Sequence, residues 1–300
     1  MYKLKQYITA LLIMIFLTGL QKTMAQVKVH VMSRKINKSI NWKPGMTFWL
    51  TGERAEIFCA THQKNTIDFE IEIISKNEDR KTAEADLDKM KLVDQVSGKK
   101  VSLRNYVELN RGESKPESDL KVIYHVKVPE NCKVFISNYF GKTRVIALKS
   151  SLTINSKFSP VKLQNIAGNI TINSNFGDIS IDSIYGTVTL QTTRSDISIR
   201  NFSGLLDIHS DYATILLSKI NNLTKAAIHA DKSNINLNTG DYNRYSYFIS
   251  TTDSKIIKPD KMHPDIFKEE KTKTQLHFNA KTNKPQITIE LNMGIITIEN

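Results

Sequence analysis

Three hundred residues and 34.2 kDa leave room for one or two domains with a sizeable core. A composition 40% hydrophobic and 24% charged excludes a disordered chain and a polytopic membrane protein. The net charge of +12 leaves nucleic acid, an anionic surface or no partner open, and 36 Ile against 23 Leu, with 24 Asn, favours strands and tight turns over a helical bundle.

Residues 1–25 read as a signal peptide. Lys3 and Lys5 form a basic n-region, Ile8 to Leu20 a short apolar run, and Thr23-Met24-Ala25 a small-x-small ending before Gln26. The run is too short to span a bilayer comfortably, and nothing later looks transmembrane. The expectation is an exported protein of the periplasm or cell surface, with no transmembrane segment in the mature chain. Removing Lys3, Lys5 and Lys22 lowers the charge from +12 to +9, and export argues against a nucleic-acid partner. Export would permit a bridge between the two cysteines, Cys59 and Cys132; sequence leaves that open, as it does the oligomeric state.

Residues 26–129 read as a β-rich capping region with one helix. Val27-Lys-Val29-His-Val31 and Ile67-Asp-Phe69-Glu-Ile71-Glu-Ile73 alternate as half-buried strands do. Ala83, Leu87 and Met90 have helical spacing, which predicts a helix near 82–96.

From residue 130 to 300 the chain carries a period of 18 residues. Residues 166–183, 184–201 and 202–219 align without gaps into five apolar columns: Ile166/Ile184/Phe202, Ile170/Val188/Leu206, Ile172/Leu190/Ile208, Ile179/Ile197/Ile215 and Ile181/Ile199/Leu217. The pattern extends upstream through Leu152 and Ile154 and then Val134 and Ile136. Downstream it continues, after a two-residue insertion, through Ile228, Ile235 and Leu237, and it returns in Ile287 to Ile298. One such unit cannot bury its own apolar face, and stacking makes the face continuous. The predicted fold is all-β: a single-stranded parallel β-solenoid, right-handed by the usual crossover rule. Gly168, Gly186 and Gly204, followed by Asn222, mark a corner needing positive φ; Gly177, Ser195, Ala213 and Ser233 mark a second, crowded one. A Lys-rich stretch near 258–285 reads as a loop with one strand.

The periodicity also stacks polar residues. His209 falls beside His229 and Asp211 beside Asp231, two imidazoles and two carboxylates that form a candidate divalent-metal set. The plainer reading is a solvated edge, and no cofactor is expected. Asp178 and Asp196 stack as well, which turn capping explains more simply than calcium. Phe140, Phe158, Phe176 and Tyr212 share a column at one turn and are candidates for stacking against a sugar; mutual packing at the turn is the plainer account. None of the G-x-S-x-G, P-loop or H-E-x-x-H patterns occurs.

The entry Tyr124-His-Val126-Lys-Val128-Pro129, Gly141, the Gly177-Asp178-Ile179 turn and the terminal Gly294-Ile-Ile296-Thr-Ile298 resemble the exported bacterial "putative adhesin" β-solenoid family. So do Gly52-Glu-Arg-Ala55-Glu-Ile57 and Thr66-Ile67-Asp68-Phe69. That family is a domain of unknown function, adhesin-head-like and frequent in Bacteroidota envelopes. The turn departs from the family pattern at Arg194-Ser195-Asp196 and Tyr212-Ala213-Thr214. The resemblance implies surface adhesion and brings no catalytic residues. The expected function is a non-enzymatic adhesin-like or scaffold module of the cell envelope that contacts envelope glycan or protein. The alternatives are an enzyme acting on envelope polysaccharide and a periplasmic sensor or partner module.

Overall fold

The computed structural model describes residues 28–220, 222–279 and 281–299. The signal-peptide reading of residues 1–25 lies outside them. Apart from one α-helix and one short 3-10 turn, the described elements are strands, and nineteen of them join a single mixed sheet.

The centre of the molecule is a stack. Strands Val161–Asn175, Ile179–Thr193 and Ile197–Asp211 pair in parallel, each residue opposite the one eighteen positions on. Ile172, Leu190 and Ile208 are therefore direct neighbours, and all five apolar columns are buried. Alternation does this work: β-branched residues point inward at every second position, and the residues between face solvent. Rungs about 4.8 Å apart satisfy one another's amides along the whole length.

The corners follow from backbone conformation. Gly168, Gly186 and Gly204 take φ of +155°, +141° and +125°, and a Cβ on any of them would strike a carbonyl of the preceding rung. The expected continuation at Asn222 is displaced. One of the two inserted residues precedes Asn222, so Asn222 stands opposite Ser203 and Leu223 opposite Gly204; the other makes a bulge after Gly204, where Leu205 meets Lys225. At the crowded corner, serine hydroxyls accept from the amide one rung away: Ser159 from Gly141 at 2.9 Å, Ser195 from Gly177 at 3.1 Å and Ser233 from Ala213 at 3.0 Å.

The ends depart from sequence order. Strands Thr47–Glu53 and Ala55–His62 flank Arg54 (φ 52°) and make a rung of their own. That rung lies between Lys133–Tyr139 with Lys142–Ile146 on one side and Lys100–Val107 with Asp119–Pro129 on the other. Likewise the last strand, Gln286–Glu299, enters between Asn222–Asn238 and Ser246–Ile257. The stacking thus takes in residues 47–62 and 100–129, ahead of the expected start at residue 130. Antiparallel strands close both ends: His30–Asn41 and Thr66–Asn77 at one, Ile266–Glu269 and Lys273–Phe278 at the other. The Lys-rich stretch therefore holds two strands where one was expected.

The helix spans Arg80–Lys89, with Asp79 accepting from the Thr82 amide at 2.8 Å as N-cap. It stops seven residues short of the expected end at 96. Gly98, at φ 56°, closes a two-residue turn that pairs Met90–Ser97 antiparallel with Lys100–Val107, and the sheet overrides local helical spacing. Asp86, 2% exposed, ties the helix to the loop before Asp119–Pro129: it accepts from Lys89 Nζ and from the amides of Glu117 and Ser118, each at 2.9 Å. A buried bridge links the N-terminal rungs, where Tyr124 donates to Asn105 Oδ1 at 2.9 Å and Asn105 Nδ2 donates to the Glu53 carbonyl at 2.8 Å. Cys59 and Cys132 are buried and unbridged. Burial pushes the Cys59 thiol up to about 12, with Cys132 nearby adding to it, and the Cys132 thiol up to about 11.

Candidate functional site

One broad face of the stack is built from residues that alternate with the buried columns. Thr153, Thr171 and Thr189 align down it, beside Asn155, Asn173, Gln191, His209 and His229 and then Lys157, Asn175, Thr193, Asp211 and Asp231. The last strand extends these columns with Glu290 and Asn292, which stand opposite His229 and Asp231. A groove of about 500 Å³ opens over these six residues from His209 to Asn292.

Within it the imidazoles of His209 and His229 stack at 4.8 Å and 11°. His229 Nδ1 lies 3.0 Å from Glu290 Oε2, and His209 Nε2 lies 3.4 Å from Asp207 Oδ1. Asp231 accepts from Asn292 Nδ2 at 2.5 Å and pairs with Lys232 at 3.5 Å. The expected neighbours are together, but not as a metal set. Parallel rings do not converge their nitrogens on one ion at about 2.0–2.1 Å, and among the described residues no three His, Cys, Asp or Glu are placed to hold a metal. Asp178 and Asp196 cap the next rung, accepting from the amides of Asp196 at 3.1 Å and Thr214 at 2.7 Å.

The aromatic column also forms. Phe140 stacks on Phe158 at 5.0 Å and Phe158 on Phe176 at 4.9 Å, with ring planes within 14°. Arg194 sits between Phe176 and Tyr212, 5.5 and 5.4 Å from their centroids, and Lys232 lies 5.0 Å over Tyr212. Each interior ring thus has its faces covered by its neighbours. The rings pack on one another, as the plainer account had it, and a sugar approaching this corner meets ring edges. Arg194 and Lys232 belong to the column, and the 18-residue alignment would have included them had cations been counted with aromatics. Glu290 and Asn292 carry a weaker signal: their strand shows the same spacing, but its place in the stack is out of sequence order.

The chain matches several solved structures, among them the following two. One, described as a "putative cell adhesion protein" from Clostridium sporogenes, shares 11% identity over 89% of this chain and 99% of its own, with a TM-score of 0.24. The other, described as a "Putative lipid binding protein" from Parabacteroides distasonis, shares 13% over 88% and 96%, with a TM-score of 0.32. No curated protein matches the chain. Among the described residues no helix is long and apolar enough to cross a membrane. The family model Toastrack DUF4097 matches residues 65–299. That span takes in the eighteen-residue stack, the antiparallel pair Ile266–Glu269 with Lys273–Phe278 and the inserted last strand, and the chain belongs to the Toastrack DUF4097 family.

Proposed function

We propose that this protein is a non-enzymatic, exported adhesin-like or scaffold module of the bacterial cell envelope, its coils wound right-handed, which presents a rigid polar face to envelope glycan or protein. The carrying observation is the in-register array of outward Thr, Asn, Gln and His side chains, which continues from rung to rung without a break in pairing. A surface whose polar groups repeat at the rung spacing of about 4.8 Å suits a ligand that is itself repetitive. It needs little ordering on binding, because every rung is fixed by its neighbours. Screening the purified protein on a glycan array tests the reading. Selective retention of a class of envelope glycan is the expected result. Absence of retention, together with turnover of a polysaccharide, would replace it.

A second reading, an enzyme acting on envelope polysaccharide, is favoured by one observation. His229 is oriented by Glu290 at 3.0 Å inside a groove, which is how a general base is held. A His229→Ala variant tests it: release of reducing ends by the wild type, abolished in the variant, would establish this reading over the first.

A further inference from the structure

Two corners of each coil hold a non-glycine residue in the left-handed conformation, and they are filled very differently. One column runs Ala147, Asn165, Ser183, Asn201 and Lys219. Asn and small residues dominate it, as expected where a large side chain crowds the backbone. The other runs Arg54, Phe140, Phe158, Phe176, Arg194, Tyr212 and Lys232 and ends in Met293 and Asp253, with φ between 47° and 59°. The first seven, as far as Lys232, are aromatic or cationic, and none of those seven is a residue that adopts this conformation readily. Nor are they hidden: Phe140, Phe158, Phe176 and Tyr212 are 41–54% exposed. Bulky side chains in an unfavourable conformation, repeated and left facing water, point to a surface with a use.

The chemistry of that surface is specific. Ring faces are consumed by ring and cation neighbours, so the rims face outward, and the rim of an aromatic ring is its positive part. Lys157, 5.8 Å from the Phe158 ring, and Arg194 and Lys232 add full positive charges along the same line. Of the nearby carboxylates, Asp178 and Asp196 accept backbone amides and Asp231 is held by Lys232 and Asn292; Asp211 borders the Tyr212 rung, and Glu53 and Asp253 stand at the two ends of the column, outside the stretch from Phe140 to Lys232. The corner's own amides pair with the adjoining rung, as Phe158 N does with Asn175 O at 2.9 Å, which leaves no free edge for a peptide strand to join. From Phe140 to Lys232 the column crosses six rungs, about 24 Å at about 4.8 Å per rung.

We infer that this corner is the binding edge for an extended anionic polysaccharide, whose regularly spaced carboxylates or sulfates lie along the cations and ring rims. The inference rests on the adhesin-like reading and names its ligand class. A neutral sugar is disfavoured because the ring faces it would stack on are taken.

Calorimetric titration of the full protein with polygalacturonate, size-matched dextran and poly-glutamate tests this. Polygalacturonate should bind and weaken steeply with salt, and dextran should not bind. A Lys157→Gln/Arg194→Gln double variant should lose about tenfold in affinity, while Lys81→Gln on the helix changes nothing. A Phe158→Asn/Phe176→Asn variant, which places Asn where the backbone favours it, should also lose binding while keeping its melting temperature within a few degrees. Equal binding of dextran and polygalacturonate, unchanged affinity in both double variants, or preference for poly-glutamate would each overturn the inference. If a glycan array shows another class of glycan retained and the corner variants leave that retention intact, the adhesin-like reading stands and this inference falls. If no glycan is retained, this inference falls, and the adhesin-like reading keeps only its protein-contact form.

Discussion

The middle of the molecule and its two ends obey the same pairing chemistry but different rules of order. Between residues 152 and 218 each rung lies on the one before it in sequence, and the offset is eighteen. At the ends the offset jumps: Thr47 pairs with Lys133 and with Lys100, and Gln286 pairs with Lys225 and with Ser246. Antiparallel strands then close the stack. A repeating middle makes the core and an irregular end makes it finite, because an open parallel rung is a template for another chain.

The strongest way to break this comparison is to remove residues 286–299. That deletion leaves Asn222–Asn238 without its inserted neighbour and exposes a long strand edge. The truncated protein should lose cooperative thermal unfolding and elute as aggregate in size-exclusion chromatography. A monomeric, cooperative product would show that the last strand decorates the stack rather than completing it.

Within the stack, Leu190→Ala opens a cavity at a fully buried position between paired rungs, and should cost about 3–5 kcal/mol in urea denaturation. A loss below about 1 kcal/mol would mean the rungs collapse around the gap, and the stack would be softer than its continuous pairing implies. At the N-terminal end Asp86→Asn should cost about 2–3 kcal/mol, because it weakens bonds to Lys89 and to two amides. Burial raises the Asp86 carboxyl, but the bonds to Lys89 and Ser118 outweigh it and hold the pKa below its ordinary 3.8. The stability this contributes is present above that value and is lost as pH falls through it and below. The wild type should therefore lose its margin over the Asn variant in acid, and a margin independent of pH would refute the role of the charge. The smallest effect is expected at Gly98→Ala, where a Cβ meets nothing within 4 Å and only the left-handed φ of 56° resists. A loss of about 1 kcal/mol or less fits a cap that tolerates change; the same substitution at Gly186, where a Cβ meets the Gly168 carbonyl, should cost more.

The middle was legible because its physics repeats. Ile172, Leu190 and Ile208 could be placed in one column from spacing alone, and with them the outward neighbours His209 and His229. The ends were not, because the apolar spacing of Ile287 to Ile298 says that the strand belongs in the stack but not between which rungs. Glu290, which orients His229, was invisible for that reason. The helix was overrun because Met90 suits both a helical face and a strand, and only the Gly98 turn decides between them. Columns of side chains were legible as positions but not as orientations. The alignment placed Phe140, Phe158 and Phe176 together, while the direction of their faces came only from coordinates.

The inserted rung at residues 47–62 has a bearing on how the chain acquires its shape during synthesis. Both of its neighbours are made later, one from residues 100–129 and the other from 133–146, so roughly the first half of the polypeptide emerges before that rung can settle. When the complete chain refolds, by contrast, assembly is expected to begin where sequence neighbours are spatial neighbours, around residues 152–218, and to spread outward to the two termini. The slowest amide protection in a refolding experiment then belongs to the strands nearest the chain's beginning and end.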